Sequence, residues 1–79
     1  MLEMVKHYLH DEDYFISLYN NFCYFYKYLE IVKFTDKLIS IKFEKFLINI
    51  YGDNLSVRKM EKKELLICGN ILKLEKFYG

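Results

Sequence analysis

Histidines, cysteines and clustered carboxylates are the side chains here most able to bind a metal or move a proton, and their spacing limits what they can do. His7 and His10 lie close together near the N-terminus, but no Cys-x-x-Cys or His-x-x-x-His stands beside them to complete a zinc set. Cys23 and Cys68 each sit inside an apolar stretch, which predicts buried free thiols rather than a disulfide or a redox pair. Asp11, Glu12 and Asp13 could draw a cation, yet one short acidic run is the composition of a solvated loop. No serine is framed as a nucleophile elbow, and Gly52 and Gly69 lack the GxGxxG or GxxxxGK surroundings of a phosphate cradle. These residues predict a protein without catalytic activity, cofactor or metal.

The aromatic side chains are the other candidates for function. Tyr24, Tyr26 and Tyr28 alternate, so an extended chain would carry all three rings on one face. Such rings could stack on nucleic-acid bases or pack against a protein, and Lys27 and Lys33 would lie near the rim. A formal net charge of +1 and a single arginine argue against capture of nucleic acid by bulk charge. Tyr24, Tyr26, Tyr28 and Phe46 are therefore read first as a protein-docking surface. A small β-barrel binding single-stranded nucleic acid is the alternative.

The elements that would position these rings are short and strand-like. From Tyr14 onward, apolar segments recur about every 8 to 10 residues between turn-type residues, the spacing of a meander or small barrel. Leu38 to Phe43 places Ile39, Ile41 and Phe43 on one face and Ser40 and Lys42 on the other. Glu44-Lys45 then reads as a tight turn into Phe46 to Tyr51, and Asn20-Asn21 as another between Tyr14–Tyr19 and Phe22–Tyr28. Gly52, Asp53 and Asn54 are expected to make a turn before a strand carrying Leu55 and Val57. Glu61 to Glu64 is a solvated loop, and Gly69-Asn70 a two-residue hairpin. Ile39, Ile41, Ile48, Ile50, Leu55, Val57, Leu65 and Ile67 are the expected core.

Leu2, Val5 and Tyr8 or Leu9 fall at helical spacing, which predicts a short N-terminal helix over residues 1–13 ahead of a β-domain over 14–79. The expected fold is a single small all-β domain, an antiparallel meander or partly open barrel or roll of about six to seven short strands. Charges at Lys27, Glu30, Lys33, Asp36 and Lys37 break the most apolar region below the length of a membrane span. The N-terminus carries no signal-peptide pattern, so the cytoplasm is the expected location.

The segment Ile48-Asn49-Ile50-Tyr51-Gly52-Asp53-Asn54-Leu55-Ser56-Val57 resembles the most recognisable stretch of the YabP/YqfC family of sporulation proteins. Phe34-Thr35-Asp36 before Leu38-Ile39-Ser40-Ile41, and Glu64-Leu65-Leu66-Ile67-Cys68-Gly69 with Leu74-Glu75, are similar to further blocks of that family in order and spacing. The likeness covers about residues 14 to 77 and is closer to YqfC. Two features depart from it: Tyr26-Lys27-Tyr28-Leu29-Glu30 stands where relatives carry a polar, glycine-containing hairpin, and the first segment lacks a preceding proline. The resemblance implies a non-enzymatic protein made in the mother cell and acting late in sporulation. It also implies a membrane-protein partner and a peripheral place at the forespore outer membrane. Homo-oligomerisation is expected separately, because so short a chain has little core and an open sheet leaves unpaired edges.

Overall fold

Residues 7–11 and 14–78 are described by a computed structural model. They form seven strands: β1 (His7–Asp11), β2 (Tyr14–Leu18), β3 (Phe22–Tyr26), β4 (Glu30–Phe34), β5 (Leu38–Lys42), β6 (Phe46–Met60) and β7 (Glu64–Tyr78). All pairings are antiparallel, in the order β1-β2-β3-β7-β6-β5-β4. The expected all-β domain is what the chain forms. Two meanders, β1-β2-β3 and β4-β5-β6-β7, are joined side by side through β3 and β7. Among the described residues no helix is long and apolar enough to cross a membrane.

Alternation governs which side chains enter the core. On β5, Ile39 and Ile41 are fully buried while Lys42 is exposed, and Ile48 and Ile50 repeat the pattern on β6. Their register places Ile41 opposite Ile48 and Ile39 opposite Ile50. With Ile16, Cys23, Phe25, Phe43, Leu55, Leu65 and Ile67 they make one continuous core. Of the predicted core residues, Val57 alone is partly buried and packs against that cluster. Full burial of an isoleucine or leucine is worth about 1.5–3 kcal/mol, so this cluster is the main source of stability.

Four turns between adjacent strands follow one scheme. Tyr19 N donates to Phe22 O at 2.9 Å, Thr35 N to Leu38 O at 2.8 Å, Phe43 N to Phe46 O at 2.8 Å and Glu61 N to Glu64 O at 2.8 Å. Each bond encloses a polar pair: Asn20-Asn21, Asp36-Lys37, Glu44-Lys45 or Lys62-Lys63. The only non-glycine residues at positive φ among those described are Lys27 and Asn54, so these turn pairs need no glycine.

Three expectations are corrected. His7–Asp11 is a strand paired with β2, not part of a helix, because its backbone groups find partners along Tyr14–Leu18; the rest of the expected helix lies outside the described residues. Gly52, Asp53 and Asn54 do not reverse the chain, and Gly69-Asn70 does not form a hairpin. Both sites lie inside the long strands β6 and β7, where pairing continues on either side of register shifts. There the chain uses its conformational tolerance to bend a ribbon rather than to end it.

That bend makes the tertiary structure. Residues 64–68 of β7 pair with β3, whereas residues 47–51 of β6 pair with β5. The long β6–β7 ribbon thus belongs to both halves of the sheet and folds one over the other. Phe25 of β3 comes within 6.0 Å of Phe43, which follows β5. At the bend a Cβ on Gly52 would strike the Asn70 carbonyl oxygen, and one on Gly69, at φ +139, would lie 2.7 Å from the Asn54 carbonyl oxygen. Amides displaced from the ladder are taken up by neighbouring turns: Gly52 N donates to Lys37 O at 3.1 Å, Leu55 N to Asp36 O at 2.8 Å and Gly69 N to Asn21 O at 3.1 Å.

Candidate functional site

The expected docking surface is divided by the fold. Cys23 and Phe25 of β3 enter the core, so Tyr24 and Tyr26 stand half-buried on the opposite face, opposite Leu66 and Glu64 of β7. Burial, and then the nearby Glu64 carboxylate, raise the Tyr24 phenol above the ordinary tyrosine range. Glu64 itself takes Lys59 Nζ at 3.2 Å.

Tyr28 does not continue the row. Lys27 adopts φ 68, which breaks the strand's alternation and turns the chain toward β4. Tyr28 is buried instead, its hydroxyl donating to the Glu61 carbonyl at 2.8 Å. Phe46 is also buried, stacked on Phe43 at 4.9 Å and edge-on to Tyr78 at 6.2 Å, with Lys76 Nζ 4.4 Å above its ring. Tyr28 and Phe46 are therefore core residues, and the surface retains Tyr24 and Tyr26 alone. Only the departure at Lys27 separated Tyr28 from its neighbours, and no residue type in the sequence marked it.

Exposed apolar side chains lie elsewhere: Leu29 before β4, Met60 at the end of β6, and others on β4 and β7. Val32 and Phe34 of β4 are 48% and 54% exposed, and a register shift between Ile31 and Lys33 bulges the strand at Val32. On β7, Leu72, Phe77 and Tyr78 are 66%, 46% and 74% exposed. Sequence patterning missed these because alternation sets which face a side chain takes and does not show whether another layer covers that face.

A polar row crosses the outer face of β5, β6 and β7. Ser40 Oγ donates to Asn49 Oδ1 at 2.6 Å, Asn49 Nδ2 to Tyr51 Oη at 3.2 Å, and Tyr51 Oη to Glu75 Oε1 at 3.1 Å. Lys73 Nζ closes it on Glu75 Oε2 at 2.8 Å and holds the Glu75 carboxyl below its ordinary range. The Ser40 proton is directed at an amide oxygen, too weak a base to activate a nucleophile. The row fastens three strands together.

No family model, curated protein or solved structure matches the chain.

Two further groups lie apart from these. Lys27, Lys62 and Lys63 surround Glu44, Tyr28 and Leu29 in an open cleft of about 460 Å³. Among the described residues no three His, Cys, Asp or Glu side chains gather to hold a metal. Cys23 is fully buried, and its burial raises the thiol far above the ordinary range. Cys68 is half-exposed, which corrects the expectation of two buried thiols. Phe22 opposes Cys68 and Cys23 opposes Ile67, so the two sulfurs point to opposite faces of the sheet and stay free.

Proposed function

We propose that this chain is a non-enzymatic assembly module that docks through the edges of its sheet, acting in the mother cell during sporulation beside a membrane-protein partner. The observation that carries the docking reading is Val32 and Phe34 exposed on β4, a strand at the end of the sheet order. A bulged edge with two large apolar side chains suits a partner that covers side chains more than one that extends the ladder. The sporulation setting rests on the resemblance to the YabP/YqfC family. Lys27 at φ 68 supports that likeness, since it places a glycine-favouring conformation in the segment where relatives carry a glycine-containing hairpin.

The test is affinity capture by the full chain from detergent-solubilised membranes of sporulating cells, with mass-spectrometric identification. One polytopic membrane protein should co-purify with the wild type and be lost with V32K/F34K, whose far-UV circular dichroism should match the parent. Recovery of nucleic acid, or capture unchanged by the β4 variant, would overturn the reading.

A further inference from the structure

We propose that the lysine-lined cleft where three chain connections meet binds a phosphate monoester, a doubly charged phosphoryl group carried on an apolar or aromatic body. Its lining is Lys27, Tyr28 and Leu29 from the β3–β4 connection, Glu44 from the β5–β6 turn, and Lys62 and Lys63 from the β6–β7 turn, around about 460 Å³. Clefts of roughly 300–1,000 Å³ are the size that takes a small organic ligand.

Hydrogen bonds hold these segments against one another. Lys27 N donates to Lys63 O at 2.7 Å, Tyr28 Oη to Glu61 O at 2.8 Å and Leu29 N to Lys42 O at 2.8 Å. Lys27 is half-buried and sits at φ 68. Glycine or asparagine takes that conformation with less strain, so what a lysine adds there is its ammonium group.

Charge identifies the ligand. Among the described residues, no carboxylate, Glu44 included, lies within ion-pair distance of Lys27, Lys62 or Lys63. Like charges held around one cleft repel, and an anion between them removes that repulsion. Three lysines against one glutamate leave the lining an excess of two positive charges. A phosphate dianion neutralises that excess, whereas a carboxylate or a sulfate monoester does not. Lysines serve phosphate as point charges, while planar carboxylates are better matched by the fork of arginine. Tyr28 and Leu29, the latter 57% exposed, supply an apolar wall for the rest of the ligand.

This inference does not rest on the docking reading, and its test reads ligand binding rather than capture. The isotope-labelled full chain is titrated with phenyl phosphate at about pH 8, where a phosphate group of second pKa about 6 is a dianion, and amide shifts are followed by NMR. Amides of Lys27, Tyr28, Leu29, Lys62 and Lys63 should shift together and saturate. Phenyl sulfate, similar in size but singly charged, should bind about tenfold more weakly. K27N, which keeps a residue tolerant of positive φ, and K62M/K63M should each raise the dissociation constant about tenfold with far-UV circular dichroism unchanged, and E44Q should lower it about threefold. Vesicles then separate the two sources of the group. Sedimentation with phosphatidylcholine vesicles that contain phosphatidate, but not with phosphatidylcholine alone, assigns the site to a lipid headgroup; binding of phenyl phosphate without such sedimentation assigns it to a soluble phosphomonoester. No saturable shift with phenyl phosphate, equal affinity for phenyl sulfate, or binding that K27N, K62M/K63M and E44Q leave unchanged would overturn the proposal.

Discussion

Tyr28 illustrates how one backbone dihedral reassigns a side chain. With Lys27 at positive φ the ring drops into the core, and its hydroxyl becomes the donor for the Glu61 carbonyl in the β6–β7 turn. Y28F leaves that carbonyl without its partner and should lower stability by about 1 kcal/mol in urea denaturation. Burial raises the Tyr28 phenol above the ordinary range. A group held neutral in this way contributes stability that is present below about pH 10 and lost as pH rises through the raised value. Spectrophotometric titration should show this tyrosine, like Tyr24, ionising later than free tyrosine, and Y28F should reduce that late component by one group. Cys23 and Cys68 divide in the same manner. A thiol-specific disulfide reagent at neutral pH should label Cys68 in the native protein and reach Cys23 only after unfolding; equal labelling of both would contradict the burial of Cys23.

At the scale of elements, the two glycines decide how the ribbon bends. G69A places a Cβ against the Asn54 backbone at φ +139, and should cost about 2 kcal/mol, read as a lowered urea midpoint with the slope retained. Strand alternation made Ile39, Ile41, Ile48, Ile50, Leu65 and Ile67 legible as core from residue order alone, because period-two burial leaves a direct mark on sequence. Polar pairs likewise marked the turns at Asn20-Asn21 and Glu44-Lys45. The difference between a turn and a bend left no such mark. Gly52 through Asn54 and Gly69 have the composition of chain reversals, and only the carbonyls of Asp36, Lys37 and Asn21, distant in sequence, hold them as bulges within continuous strands. The docking surface was illegible for a related reason: whether Phe46 is covered depends on Tyr78 and Lys76, contributed by the far end of the chain.

Over the whole molecule, β6 and β7 are common to both halves of the folded sheet, and one core lies between those halves. Loss of either half strips partners from the same two strands. Denaturation followed by tyrosine fluorescence and by far-UV circular dichroism should therefore give coincident single transitions. Separated midpoints would mean that the halves unfold independently.

The crease at Gly52 and Gly69 turns this shared ribbon into a latch with three contacts. The amides of Gly52, Leu55 and Gly69 are satisfied only by the β4–β5 and β2–β3 turns, which close on the ribbon from separate parts of the chain. These amides register whether the fold is shut, not merely whether its strands are paired. If the layers part while the ladders survive, hydrogen exchange will quicken there first and leave Ile48 and Ile67 protected. The molecule thus carries a built-in reporter of its own closure.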